Sequence, residues 1–311
     1  MQYIKSIYPK LQFLDPIHFE GISITPIDSL SIRDAEHLLE PLIDLETAFQ
    51  AKLVSIKEMG SNGSVEEIIV INQADRPLII LEGQGLEGAK QNRVLQKTVV
   101  IPAKTSLEVP VNCVERGRWE YNSDEFRPAS FSAGPNVKMR KANAMKSGDY
   151  SVQSQVWEGV AELSYSLECH SGTENLGEVL SQASSKSHFN KYALEKLIHS
   201  FDGYGFKVSG GRFEFFEVYG RKSWAKAALK RSVMEWVLDS KRVRESKTLP
   251  LSILDSDWMP KRSVGLEKSF LAMQGCTGLS SEYKNSLLHL FCAPEDSGMQ
   301  KRQRMPIFEI E

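Results

Sequence analysis

The densest set of groups able to do chemistry lies between Leu81 and Trp119. The run Leu81-Glu82-Gly83-Gln84-Gly85-Leu86-Glu87-Gly88-Ala89-Lys90-Gln91-Asn92-Arg93 sets carboxylates, carboxamides and cations among glycines. Glycine lets a backbone approach a ligand closely. Lys90 and Arg93 are suited to neutralising a phosphate or carboxylate, the first as a point charge and the second as a planar fork, with Gln91 beside them. Glu82 and Glu87 are candidates to receive ribose hydroxyls, to hold a metal, or to act as a general base if burial raises the pKa. Downstream, Val111-Asn112-Cys113-Val114-Glu115-Arg116-Gly117-Arg118-Trp119 adds a carboxylate, two guanidiniums and an indole. Arg116 or Arg118 can grip phosphate and Trp119 can stack on a base. Strand alternation along Val109, Val111 and Cys113 puts Glu115 with the buried set, where a carboxylate needs a partner. The alternative is a solvated hairpin closed by internal salt bridges, with Trp119 capping a β core.

The glycines spell GxGxxG directly after an expected strand, the pattern of a dinucleotide-binding turn. That turn needs a crossover helix whose N-terminus receives the pyrophosphate, and a parallel strand beyond it. Here the next strand begins near Thr98, too soon for such a crossover, so the dinucleotide reading is rejected. Other constellations carry less. Cys169 and His170 are neighbours pointing to opposite faces of an extended chain. The six histidines show no HxxxH or HxH spacing and the four cysteines no CxxC pair, so no metal site is read and the thiols read as buried and reduced. Lys241-Arg242-Val243-Arg244 and Lys301-Arg302-Gln303-Arg304 read as solvated basic clusters.

The elements that must hold these residues differ between the halves. Ile17 to Ile27 reads as one strand with an irregularity near Gly21. A short helix is expected over Leu42 to Gln50, then a hairpin of Lys52 to Lys57 and Val65 to Ile71 across Asn62-Gly63. Leu78 to Leu81, Thr98 to Ile101 and Leu107 to Val114 read as further strands. Residues 1–120 are therefore expected to form an antiparallel, sandwich-like β domain carrying the GAKQNR and CVERGRW motifs. No pattern is read over 121–151, which carries Arg127, Lys138, Arg140, Lys141 and Lys146; a mobile basic flap and an interdomain linker both fit such a segment. Residues 152–311 are expected to form an α+β domain. Phe189, Ala193, Leu197 and Phe201 mark a helix capped by one of Ser184, Ser185 or Ser187. A hairpin across Ser209-Gly210-Gly211 follows, then a helix from Ser223, then two strands, Ser269 to Met273 and Leu287 to Cys292, joined across Gly275-Cys276-Thr277-Gly278. The fold class is α+β.

With 41% hydrophobic and 25% charged residues the composition is that of a globular protein with real cores, which excludes extended disorder and fibrous folds. A formal net charge of -2 gives no reason to expect nucleic acid or an anionic membrane as partner. The N-terminal residues lack the h-region of a signal peptide and no apolar run is long enough to cross a bilayer, so a soluble cytoplasmic protein is expected.

Glu82, Gly88-Ala89-Lys90-Gln91-Asn92-Arg93, Ile101-Pro102-Ala103 and Pro110 through Trp119 resemble the signature of the ARG and rhodanese-phosphatase-superfamily-associated protein domain. Agreement continues through Gln155-Val156-Trp157, Gly210-Gly211, Trp224 and His289-Leu290-Phe291, while Lys241 to Lys247 falls outside the pattern. The resemblance implies association with ADP-ribosylglycohydrolases and a role near ADP-ribose or NAD-derived nucleotides; it implies no reaction and names no cofactor. Three functions follow as expectations. In the first, Glu82 and Glu115 act as acid, base or metal ligand while Glu87, Lys90, Gln91, Arg93, Arg116 and Trp119 hold a small anionic nucleotide-like molecule in one pocket. The second is a non-catalytic sensing or protein-interaction module using the same groups. The third is a structural partner.

Overall fold

The computed structural model describes residues 10–60, 62–147, 152–187, 190–210 and 213–241, and towards the C-terminus the strands 260–264, 270–273, 276–283 and 286–294. The chain opens with β1 (Gln12–Phe13), β2 (Ile17–Phe19) and β3 (Ile22–Asp28). The expected single strand over 17–27 is instead a hairpin, with Phe19 opposite Ile22. Glu20 and Gly21 both have positive φ, 50° and 92°, the conformation of a tight turn whose twist matches paired strands.

After α1 (Leu30–Ala35) come β4 (Ile43–Asp44), α2 (Leu45–Gln50), β5 (Val54–Glu58), β6 (Glu67–Asn72), β7 (Leu78–Ile80), β8 (Gln84–Gly88), β9 (Arg93–Leu95), β10 (Val99–Ile101), β11 (Ser106–Cys113) and β12 (Phe126–Ser132). Asp44 caps α2 by accepting from the Thr47 amide at 2.9 Å. An antiparallel sheet runs β12-β8-β9-β11-β6-β5. Its two edges, β5 and β12, approach each other, so the sheet curls towards closure. Glu125 bridges them, accepting from Ser55 Oγ at 2.9 Å and lying 3.2 Å from Lys57 Nζ. The small sheet β10-β7-β4 contributes Leu78, Ile80, Val99 and Ile101 to the interior of Ile56, Ile68, Val70, Leu86, Leu95, Val109 and Val111. β8 and β9 pair antiparallel, as the rejection of the dinucleotide fold requires.

The remaining elements are α3 (Pro135–Ser147), α4 (Val152–Ser166), α5 (Leu176–Lys186), α6 (Lys191–Ser200), β13 (Gly205–Gly210), β14 (Phe213–Tyr219), α7 (Lys222–Lys241), β15 (Pro260–Val264), β16 (Phe270–Met273), β17 (Cys276–Tyr283) and β18 (Ser286–Pro294). A second sheet runs β1-β3-β13-β14-β18-β17-β16-β15, with β2 on β3. Against it α7 packs Leu229, Val233 and Trp236, whose indole lies 5.0 Å from Phe206 and 5.3 Å from Phe215. A third apolar cluster joins Val94, Val114 and Phe131 to Val137 on α3, Val156, Val160 and Leu163 on α4, and Leu176 on α5.

Four expectations are corrected. The loop expected over 121–151 is replaced, across 126–147, by strand and helix: β12 pairs with β8, and α3 follows with a proline in its first turn, where a missing amide hydrogen costs nothing. A register shift between Pro128 and Ser132 interrupts the period of β12, which is the sheet's edge strand. The expected boundary near residue 120 is crossed by a sheet, because β3 pairs with β13 of the second half. The cap of α6 is Asn190, whose side chain accepts from the Ala193 amide, rather than a serine. Cys276 begins strand β17 rather than sitting in a turn. Among the described residues, no helix is long and apolar enough to cross a membrane and no His, Cys, Asp and Glu cluster is arranged to hold a metal ion. The basic residues 242–247 and 301–304 lie outside the described residues.

Candidate functional site

The turn joining β8 to β9 is shaped by Gly88 and Ala89, at φ 115° and 43°. A Cβ on Gly88 would lie 2.5 Å from Ser123 Oγ and 2.7 Å from the Glu125 carbonyl oxygen, so only glycine admits the crossing segment. That segment is tied down along its length. Ala89 N donates to Ser123 Oγ at 2.9 Å, Asn122 N donates to Ala89 O at 3.1 Å, and Arg118 Nη1 donates to the same oxygen at 2.6 Å.

Glu115 sits behind this turn and is buried. Its Oε1 accepts from Arg118 Nε and Thr173 Oγ1, both at 2.9 Å; its Oε2 accepts from Arg118 Nη2 at 2.6 Å and from the Asn92 amide at 3.0 Å. Burial alone would raise its pKa, but the hydrogen bonds from Arg118, Asn92 and Thr173 outweigh it and hold the carboxyl below its ordinary range. Glu115 therefore stays ionised, and its four donors bind the strand end, the turn and the approach to α5 together.

Arg93 is sealed in the interior. It donates to Gln91 Oε1 at 2.9 Å and to Ser64 O at 3.2 Å, contacts Cys113 Sγ, and lies 3.5 Å from Glu58 Oε1. Burial, opposed by Arg93, pushes the Cys113 thiol up to about 11, which leaves it unreactive at neutral pH. Lys90 Nζ donates to Asn62 O at 2.7 Å and lies 5.3 Å from the Trp119 ring and 5.0 Å from that of Tyr121, both exposed at the surface. Gln91 Nε2 donates to the Arg116 carbonyl at 3.3 Å, while the exposed Arg116 guanidinium lies over Trp157 at 5.4 Å and 4.0 Å from Glu174.

Beside the turn opens a cleft of about 520 Å³. Glu87 and Arg127, 3.2 Å apart, come from β8 and β12; Asn122, Ser123 and Glu125 come from the crossing segment; Asn175, Gly177, Glu178 and Ser181 come from the start of α5; and Asn92 lies between.

Glu82 belongs elsewhere. Its Oε1 receives Lys141 Nζ at 2.6 Å, and the same amine donates to Gln96 O at 2.6 Å. Its Oε2 lies 3.7 Å from His289 Nδ1. His289 Nε2 is 3.2 Å from Glu217 Oε2, which also receives the Tyr219 hydroxyl, and Glu217 Oε1 pairs with Lys138 Nζ at 2.5 Å. All six side chains are buried. Burial lowers the Lys141 pKa, with Glu82 opposing. Glu217 resists burial, and Lys138 and His289 hold it far below the carboxylate range. Burial, with Asp239, raises Glu235 to about 8.

The eight expected residues thus fall into several places rather than one pocket. Glu87 lines the cleft; Glu115 clamps the turn beneath it; Lys90, Arg93 and Trp119 cluster beside it with Gln91; Arg116 lies on Trp157; Glu82 pairs with the buried Lys141. The sequence reading missed Asn92 and Asn175 and the partners of Glu82. Asn175 was open to detection, since an Asn three residues before Glu178 and ahead of Leu176 is a helix-start pattern. Lys138 and Lys141, spaced to share one helix face, gave a weaker sign.

The chain belongs to the ARPP-1 family, the ARG and Rhodanese-Phosphatase-superfamily-associated Protein domain, which matches residues 10–291. No curated protein and no solved structure matches the chain.

Proposed function

We propose that the cleft beside the Gly88–Asn92 turn binds a small nucleotide-like molecule of the ADP-ribose or NAD-derived kind, and that the chain works as a cytoplasmic ligand-binding module. One observation carries the reading: a cleft of about 520 Å³, a volume suited to a small molecule, is walled by polar side chains and borders the turn that bears the family signature, which contributes Gly88 and Asn92 to it. The carboxylates of Glu87, Glu125 and Glu178 are acceptors suited to sugar hydroxyls, and Arg127 is a guanidinium at the rim suited to a phosphate. Trp119 and Tyr121, exposed and one to three residues from Asn122, offer ring faces to a base. The family's association with ADP-ribosylglycohydrolases supports the same ligand class.

Binding is favoured over catalysis because Glu115 is saturated by four donors and Glu82 is paired with a buried lysine, which leaves neither poised as a general base. Thermal-shift measurement of the purified chain against ADP-ribose, NAD, nucleotides and sugar phosphates tests the reading. A ligand at a hundredfold its dissociation constant stabilises the fold by about 2.7 kcal/mol. No shift with any of these compounds would refute it, whereas turnover lost in Glu82→Gln or Glu115→Gln would replace the binding module with an enzyme.

A further inference from the structure

Three carboxamides line the cleft, those of Asn92, Asn122 and Asn175, and for Asn92 and Asn175 the neighbours dictate which atom each presents. Asn92 Oδ1 accepts from the Gly88 amide at 3.1 Å and lies 3.5 Å from Arg118 Nη2. Its Nδ2 is therefore turned the other way, towards Asn175 Oδ1 at 3.3 Å. Asn175 Oδ1 also accepts from the Gly177 amide at 2.9 Å and the Glu178 amide at 3.3 Å, capping α5. An amide oxygen that faces three donors cannot be exchanged for NH2 without setting N–H against N–H. Asn175 Nδ2 is thereby committed to the opposite direction. It has no hydrogen-bond partner among the described residues, on a residue only 6% exposed that borders the cleft. Water can reach this donor, so its place on a nearly buried residue at the cleft wall leaves it available to an acceptor from the cleft side.

The walls set the character of that acceptor. Glu87, Glu125 and Glu178 face a single guanidinium, Arg127, so the field inside the cleft opposes a phosphate while the carboxylate oxygens accept hydroxyl protons. We infer that the cleft takes the sugar of its ligand, with Asn175 as the specificity residue that donates to a sugar oxygen and with any phosphate directed outwards past Arg127. This rests on the nucleotide-like reading above and narrows it to the part of the ligand that is recognised.

Isothermal titration of the full chain with ADP-ribose, adenosine, adenine and inorganic pyrophosphate reads the ligand side, and Asn175→Asp reads the protein side. Aspartate keeps the oxygen that caps α5 and receives Asn92, and it replaces the free NH2 with an acceptor. Adenosine is expected to bind within about tenfold of ADP-ribose, with adenine and pyrophosphate at least about tenfold weaker than adenosine. In Asn175→Asp, ADP-ribose binding is expected to weaken by at least about tenfold at an unchanged melting temperature. Equal binding by the wild type and Asn175→Asp, or pyrophosphate binding as well as adenosine, overturns the inference and leaves the cleft a nucleotide site read some other way. Absence of binding by all four probes to the wild type overturns the cleft reading itself. Should the variant melt early, the ligand series on the wild type decides alone.

Discussion

Glu115 and Glu82 are both buried carboxylates paired with a cation, and they do different work. Glu115 takes three of its four hydrogen bonds from Arg118 and the Asn92 amide, within the family signature, and stands next to an open cleft. Glu82 is one link in a sealed alternation of Lys141, Glu82, His289, Glu217 and Lys138, which joins the curled sheet to α3, β14 and β18. A carboxylate sealed against a buried ammonium holds a joint between elements, whereas Glu115 fixes a turn beside a cleft. Identical residue types in one signature therefore stand in different settings, one sealed within the protein and one at the margin of a cleft.

The widest separation between the two regions is expected from Lys141→Met, which leaves the buried Glu82 carboxyl without its ammonium partner, at a cost of about 3–5 kcal/mol. Arg127→Ala at the cleft rim should change stability by no more than about 1 kcal/mol, because its pair with Glu87 is largely exposed. Urea unfolding of both variants measures the contrast, and equal losses would erase it.

The pH dependence should separate the regions by sign. Glu235 is raised from 4.5 to about 8, so the folded state holds a proton that the unfolded state has already released. Its contribution is complete below pH 4.5 and falls as pH rises through 8, with a slope of up to about 1.4 kcal/mol per pH unit. Glu115, held low, contributes fully above pH 4.5 and loses that contribution as pH falls through its depressed value. Glu235→Gln should flatten the decline of the urea midpoint between pH 4.5 and about 8 and leave the acid limb; a decline that persists in the variant assigns it to another group.

A smaller effect is expected from Glu115→Gln, about 2 kcal/mol, since the Arg118 fork loses its ionic partner while some hydrogen bonds survive. Its distinguishing mark is weaker ligand binding, because the turn that carries Asn92 is loosened. A variant that loses stability but binds normally would put Glu115 in the same class as Glu82.

Much of this arrangement was legible locally. The Asn62-Gly63 hairpin, the short helix ending at Gln50, the stripe of α7 and the hairpin of β13 and β14 follow from patterns complete within a few residues. The burial of Glu115 followed from strand alternation, and so did its need for a partner. What escaped was long-range or masked by charge. Thr173 and Asn175 reach Glu115 and Asn92 from more than fifty positions away, a distance no spacing rule covers. Lys138 and Lys141 read as solvent-facing because lysine is rarely buried without a partner, and their partners lie on β14 and before β8. Pro128 and the register shift after it broke the alternation that marks β12.

The pairing of Ile27 with Gly205 also has a consequence in time. β5 to β12 are contiguous in the chain and can fold on one another as soon as they have been synthesised, whereas β1 to β3 must wait for β13. β1 to β3 thus leave the ribosome before β5 to β12 yet find their sheet after them, and Ile22, Ile24 and Ile27 stay exposed to water in the interval.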